Sequence, residues 1–234
     1  MVRLRFGGIV NFTQRVVRRS ALLSRTLLGL VLLSALLLVH AVVVENIAAP
    51  TSWLWRLRLL DLQSATDLLV ATGAAALARA QYARTVRPAI GGIGRVVPDL
   101  APDRLAWSFQ VTNAAQDVAV VTDLSYGLLL APAEPGGPPD TLSWTDRAEI
   151  DRRLIERELV RHEDFWLSLM GVGRPLPAQG TAFVGWFTEE AMRVIVELYV
   201  RIQVVDRVGD VHERIFPCLR GADRAPRNPS PLLN

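Results

Sequence analysis

The sequence TLLGLVLLSALLLVHAVVV, from Thr26 to Val44, decides the class of this protein. It contains nineteen consecutive residues without one charged side chain. As a helix that rises about 1.5 Å per residue, the run is long enough to span the hydrocarbon core of a bilayer. A buried core helix seldom lacks a polar face over this length. The sequence therefore predicts a transmembrane helix over residues 26–44.

A basic leader, residues 1–25, precedes this run. It holds six arginines and no acidic residue. An excess of arginine marks the cytoplasmic flank of a membrane helix, so we expect a cytoplasmic N-terminus. The arginines nearest the run are expected to orient it and to attract anionic membrane lipid. These membrane-orienting residues are Arg15, Arg18, Arg19 and Arg25.

A cleaved signal peptide is the main alternative for this N-terminal region. It requires a shorter apolar stretch and a small-residue cleavage site soon after it. Ala48 and Ala49 offer the nearest site, but Pro50 follows them and the leader is long. We therefore predict an uncleaved anchor.

The next segment leaves two topologies open. Residues 45–58 are predicted to form an interfacial loop, and residues 59–82 form a second apolar segment that contains Asp61 and Asp67. An aspartate at mid-bilayer costs roughly 2.5 to 3.5 kcal/mol on insertion scales. The segment is therefore either a second spanning helix that completes a hairpin or an amphipathic helix at the membrane surface.

Two features favour the hairpin. Arginines cluster behind the segment, as they do where a helix ends on the cytoplasmic side. In a hairpin, His40 and Asp67 also lie at similar depth and form a possible intramembrane pair. The hairpin places the rest of the chain in the cytoplasm, which we slightly favour, whereas the surface helix places it outside.

From Arg87 onward, short runs of alternating apolar and polar residues indicate strands. An antiparallel immunoglobulin-like β-sandwich is therefore predicted over residues 86–220. A helical insertion is expected at residues 145–163, with Ala148, Ile155 and Leu159 on its apolar face. The Pro-rich residues 221–234 are predicted to be disordered. The expected strands lie near 86–97, 104–112, 117–122, 124–131, 164–170, 181–187, 195–206 and 211–217.

Short phrases in this region match a known group of proteins. They are Arg87-Pro88-Ala89-Ile90 after a membrane segment, Phe109-Gln110-Val111-Thr112-Asn113, and Ala119 to Asp123. With them the chain resembles uncharacterised bacterial membrane-anchored proteins that have N-terminal transmembrane helices and an immunoglobulin-like domain. The usual glycine after the asparagine is missing, since Ala114, Ala115 and Gln116 occupy that stretch. The resemblance implies fold and anchoring, a spanning second helix included, and no chemistry.

Composition and motifs argue against several kinds of site. Twenty of the 26 basic residues follow residue 25, against 23 acidic residues, so the net charge there is about −3 and nucleic-acid binding is not expected. The single cysteine, Cys218, allows no intramolecular disulfide or thiolate cluster. The three histidines share no metal-ligand spacing. Gly91-Gly92-Ile93-Gly94 resembles only part of a phosphate loop.

The sequence therefore favours a non-enzymatic, membrane-anchored interaction module. We expect no cofactor, no metal and no catalytic residue, and a protein partner or self-association of unspecified identity. Two alternatives stay open. One is a subunit of a membrane complex whose helices are the functional part. The other is a membrane-surface enzyme with two carboxylates that converge in a pocket.

Overall fold

The computed structural model describes residues 12–46, 59–134, 136–138, 140–168 and 170–231. They fall into two compact units. The helical unit spans Arg19–Arg87, and the β unit combines the described residues before Arg19 with those from Pro88 onward. The chain is α+β with antiparallel sheets, as predicted. Most of the predicted interfacial loop, residues 47–58, lies outside the described residues.

Two long helices form the helical unit: α1 over Ala21–Asn46 and α2 over Leu62–Thr85. α1 exposes apolar side chains, with Leu28 60% and Leu36 67% exposed. Within the described residues, one helical stretch, Leu23–Asn46, is long and apolar enough to cross a membrane, with a mean hydropathy of 2.8. The apolar side chains of α1 are mostly exposed, so this helix is not part of an apolar core.

Asp61 caps the start of α2: its side chain accepts a hydrogen bond from the backbone N–H of Ser64 at 3.1 Å. Such a cap satisfies one of the unpaired N–H groups of the first turn. The two helices meet near their midpoints, where the Thr72 hydroxyl donates to the Ser34 hydroxyl oxygen at 3.2 Å. Ser34 is 2% exposed, so this polar contact is covered by its surroundings.

Small buried residues continue along this seam. Seven residues after Ser34 in α1, Ala41 is 5% exposed, and seven residues before Thr72 in α2, Ala65 is 0% exposed. Seven residues are about two helical turns, so each pair lies on one face of its helix. The matching intervals run in opposite directions along the two helices. This is the pattern of an antiparallel pair.

The β unit consists of two antiparallel sheets. One has the strand order β1-β10-β9-β4-β5, with β7 also paired to β4, and the other has the order β2-β3-β8-β6. The strands are β1 Arg15–Arg18, β2 Ile90–Ala101, β3 Arg104–Asn113, β4 Ala119–Leu130, β5 Trp144–Thr145, β6 Phe165–Leu167, β7 Pro175–Leu176, β8 Thr181–Thr188, β9 Ile195–Val205 and β10 Val211–Pro217.

Both sheets contribute to one apolar core. Phe109 and Phe187 come from the four-stranded sheet, and Leu128 and Val200 from the six-stranded sheet. All four are at most 6% exposed. The two strands expected near 117–122 and 124–131 are a single strand, β4, because a local shift of register between Val121 and Asp123 keeps the pairing with β9 continuous.

The helical insertion is shorter than predicted. Instead of residues 145–163, α3 covers Arg147–Ile155, followed by turns in which Glu158 and His162 have positive φ angles of 64° and 70°. Its buried face is Ile150 and Leu154, both 0% exposed, whereas the expected Ile155 is 53% exposed. The apolar face was assigned from the wrong residues because the helix ends before Leu159.

The prediction of a disordered tail is wrong for Gly221 to Pro231. The Arg224 guanidinium donates to the carbonyl oxygens of Met192 at 2.6 Å and Ile195 at 2.5 Å. These carbonyls lie at the end of α4, Glu189–Val194. Further along, the Ser230 N–H donates to the Val96 carbonyl at 3.0 Å. The proline-rich tail forms no helix or strand over these described residues, but the long-range hydrogen bonds attach it to the β unit.

Candidate functional site

The basic leader supplies a strand of the β unit. β1 pairs antiparallel with β10, with Arg15 opposite Glu213 and Arg18 opposite Val211. The sequence predicts residues 1–25 as a basic cytoplasmic leader without a strand, whereas Arg15–Arg18 form one edge of the six-stranded sheet. The partner strand lies almost 200 residues away along the chain. A four-residue strand has too little local pattern to be predicted from its own sequence.

An ion pair anchors this strand. The Arg15 guanidinium donates to Oε1 of Glu213 through Nε at 2.9 Å and through a terminal nitrogen at 2.5 Å. The Glu213 side chain is 4% exposed, and its other oxygen accepts from the Gln203 amide at 2.9 Å. A carboxylate this deeply buried needs partners, so Arg15 balances a charge inside the β unit.

The leader also contacts the other sheet. The Gln14 amide donates to the Pro88 carbonyl at 2.6 Å, and its oxygen accepts from the Ile90 N–H at 3.0 Å. The Phe12 ring stacks on Tyr199 with ring centroids 6.1 Å apart. Residues 12–18 are thus attached by strand pairing, an ion pair, an amide bridge and ring stacking.

The other three arginines predicted to orient the helix come shortly after Arg15 in the sequence. Arg18, Arg19 and Arg25 are exposed at the junction where β1 leads into α1. An exposed guanidinium here is free of the core and suited to lipid phosphates. The leader therefore combines one structural arginine, Arg15, with three exposed ones. The four arginines are evident from the sequence, whereas the roles of Gln14 and Glu213 are not, because they depend on distant partners.

The helical unit brings His40 and Asp67 to one level. The contact of Ser34 with Thr72 sets the antiparallel register, in which His40 lies across from Thr66, the neighbour of Asp67. His40 is half-buried and Asp67 is exposed. A direct pair between His40 and Asp67 stays a prediction.

His212, in the hairpin formed by β9 and β10, is buried and pairs with an aspartate of the turn. His212 is 2% exposed, and its Nε2 lies 2.9 Å from Oδ2 of Asp206. The other Asp206 oxygen accepts the N–H groups of Val208 at 3.0 Å and Asp210 at 2.9 Å. Within the described part of the chain, no group of three or more His, Cys, Asp and Glu side chains is placed to hold a metal ion.

Buried titratable groups occupy separate environments. Burial raises the pKa of Glu197, which accepts the N–H groups of Leu198 and Leu219. Burial likewise raises the pKa of Asp151, which pairs with arginines of its own helix and the following turn. The Cys218 thiol is buried, which raises its pKa well above the usual value and disfavours the reactive thiolate. Glu197 and Asp151 have different partners among the described residues, so these interactions do not link them as a pair of carboxylates.

The glycine-rich segment Gly91 to Gly94 belongs to β2. A Cβ at Gly92 would lie 2.6 Å from the Phe109 ring and 2.9 Å from the Phe216 ring. A Cβ at Gly94 would overlap the Trp107 indole. These glycines therefore make room for aromatic rings that cover an edge strand. The glycines that resemble part of a phosphate loop are thus explained by the packing of aromatic rings against β2.

Comparisons with known proteins add no function. No family model matches the chain, and no curated protein matches it. A Northeast Structural Genomics Consortium target matches at 9% identity with a TM-score of 0.26, over 57% of this chain and 83% of that one. A Bordetella pertussis protein provisionally named ApaA matches at 13% identity with a TM-score of 0.22, over 56% and 88%. Scores this low carry no argument.

Proposed function

We propose that this chain is a non-enzymatic, membrane-anchored interaction module. One observation carries the proposal: α1 exposes leucines such as Leu28 and Leu36 while its flank carries exposed arginines. Burying one leucine side chain stabilises by about 1.5 to 3 kcal/mol. A helix with this surface is therefore strongly driven into lipid, and the arginines keep its N-terminal end in the cytoplasm.

The β unit is the part that binds. Its two antiparallel sheets around a shared core support an immunoglobulin-like β-sandwich, a fold that binds partners through strand edges and loops. Its buried polar groups hold the fold together: Glu213 binds Arg15, and Asp206 binds His212. Binding to a protein partner or to a second copy is therefore favoured over catalysis.

Photo-crosslinking in intact membranes tests this function. A photoreactive residue at Val172, which is 70% exposed, samples the surface, and one at Val200, which is 0% exposed, is the control. Further exposed positions are Val118 and Ile155. We expect an adduct of one defined mass, from a partner or a second copy, at an exposed position and not at Val200. Adducts at none of the exposed positions would contradict the proposal.

A replacement of the helices separates the module from a subunit of a membrane complex. The helical unit, residues 19–87, is exchanged for an unrelated membrane hairpin, and crosslinking is repeated. If the β unit binds, the adduct persists. If the helices are the functional part, the adduct disappears although the protein stays in the membrane.

A further inference from the structure

The order of elements along the chain constrains the membrane topology. β1 precedes α1 and β2 follows α2, yet both strands belong to the β unit. We infer that the chain crosses the membrane twice, that α2 is the return crossing, and that the whole β unit lies in the cytoplasm. This inference rests on the proposed function, because it takes α1 to be in the membrane.

The connections to the β unit are too short to cross a bilayer. Arg19 and Ser20 alone separate β1 from α1, and residues 86–89 alone separate α2 from β2. At about 3.5 Å per residue, they reach roughly 7 Å and 14 Å. The hydrocarbon core is about 30 Å thick. The first end of α1 and the last end of α2 are therefore on the side of the β unit.

The chain must then return from the far side within residues 47–89. Extended backbone does not cross lipid, because its N–H and C=O groups would lack hydrogen-bond partners. α2 has 24 residues and α1 has 26, so at about 1.5 Å per residue both exceed the hydrocarbon thickness. α2 is the helix available for the return.

The packing of the helices fits two crossings. Ser34 and Thr72, which share a hydrogen bond, lie near the middle of α1 and α2. The two helices therefore match centre to centre. Ala41 and Ala65 are buried further along the same seam. Small residues let membrane helices approach closely, and paired hydroxyls satisfy each other where water is absent.

This register gives the depth of the acidic residues of this segment in the bilayer. Asp67 lies five residues before Thr72, about 8 Å from the bilayer centre, and Asp61 lies about 16 Å away, at the interface. Asp67 is thus the one carboxyl of α2 within the hydrocarbon, in its far half. Its level is that of His40. A single acidic group at this depth, level with a histidine of the neighbouring helix, is compatible with insertion.

Arginine placement gives the side. Six arginines flank the two ends that join the β unit: Arg15, Arg18, Arg19, Arg25, Arg84 and Arg87. Arg79, seven residues after Thr72, lies about 10 Å from the bilayer centre in the half nearer the β unit, where a long arginine side chain reaches the same interface. The connecting segment at the other end has two, Arg56 and Arg58. The excess marks the side of the β unit as cytoplasmic. The partner of the β unit is therefore a cytoplasmic protein or a second copy of this chain.

Cysteine labelling tests this topology in the full chain. The starting protein carries Cys218→Ala, and single cysteines are introduced as Val172→Cys in the β unit or Ser52→Cys in the connecting segment. An impermeant maleimide is applied to intact spheroplasts and again after permeabilisation. We expect Ser52→Cys to be labelled in both, and Val172→Cys only after permeabilisation, with at least a tenfold gain.

The other outcomes overturn the inference. Labelling of both positions in intact spheroplasts means that α2 does not return, and labelling of Val172→Cys alone means that the hairpin has the opposite orientation. Protection at both positions means that neither helix crosses. Because Cys218→Ala alters a buried residue, Cys218→Ser is carried in parallel to show that the result does not depend on the substitution. Alkaline carbonate extraction is run beside the labelling. Release of the protein from membranes would refute membrane anchoring itself.

Discussion

The two units of this chain treat the same amino acids in opposite ways. Leu128 in β4 is 0% exposed, whereas Leu36 in α1 is 67% exposed. The β unit hides its apolar side chains between two sheets, and α1 presents them to its surroundings. The β unit thus has its own apolar core, whereas α1 has an apolar surface that its own fold leaves uncovered.

The largest expected effect compares one substitution in both units. Leu128→Ala should lower the free energy of unfolding of the β unit by about 2 to 5 kcal/mol, because it leaves a cavity in the core. Leu36→Ala should change it by less than about 0.5 kcal/mol. Denaturation of the full chain in detergent, followed by tryptophan fluorescence, measures both. Equal effects would mean that α1 packs as part of the core.

A second comparison uses two glycines of the β unit. Gly94→Ala should destabilise the protein by about 1 to 3 kcal/mol, since its methyl group would overlap the Trp107 ring. Gly171→Ala is the control, because no atom lies within 4 Å of the added carbon. Thermal denaturation of the two variants decides the point. A stable Gly94→Ala protein would show that the aromatic cover over β2 is dispensable.

A third comparison separates the two roles of the leader arginines. Arg15→Ala leaves the buried Glu213 carboxylate without its ion pair and should cost about 1 to 3 kcal/mol. Arg18→Ala removes an exposed charge and should cost less than about 0.5 kcal/mol. If unfolding of the two variants is indistinguishable, the ion pair between Arg15 and Glu213 does not stabilise the β unit.

The smallest effect is a pH dependence inside the β unit. Burial raises the pKa of Glu197 in the folded state, so the folded protein binds this proton more tightly than the unfolded chain. Glu197 thus lowers stability as pH rises from the ordinary pKa of glutamate through its raised value. Glu197→Gln should flatten this fall in the free energy of unfolding, whereas the exposed Glu156→Gln should not. An unchanged profile in Glu197→Gln would contradict the assignment.

The sequence predicted what depends on local pattern. The apolar run produced α1, and alternating residues located most strands of the β unit. It missed β1 because four residues with two arginines form a strand only when β10 supplies the partner. It extended α3 to residue 163 because the charged residues after Ile155 have high helix propensity, although positive φ angles at Glu158 and His162 end the helix.

The candidate site was predictable in part for the same reason. The four leader arginines are evident from composition, and their orienting role stays a prediction. Their division into a structural Arg15 and exposed Arg18, Arg19 and Arg25 depends on Glu213, which lies far away in the chain. The ordered tail likewise depends on the reach of Arg224 to α4. Contacts between residues so far apart in the chain cannot be predicted from the local pattern of a single sequence.

Reporter fusions test most directly that the leader and the C-terminal strands share one compartment. A green fluorescent protein, which fluoresces only in the cytoplasm, or alkaline phosphatase, which is active only outside it, is joined after Asn234 or, in a truncated control, after Asn46. We expect fluorescence without phosphatase activity after Asn234, and the reverse after Asn46. Phosphatase activity without fluorescence after Asn234 would show that the C-terminal strands lie outside the cytoplasm and that α2 is not the return crossing.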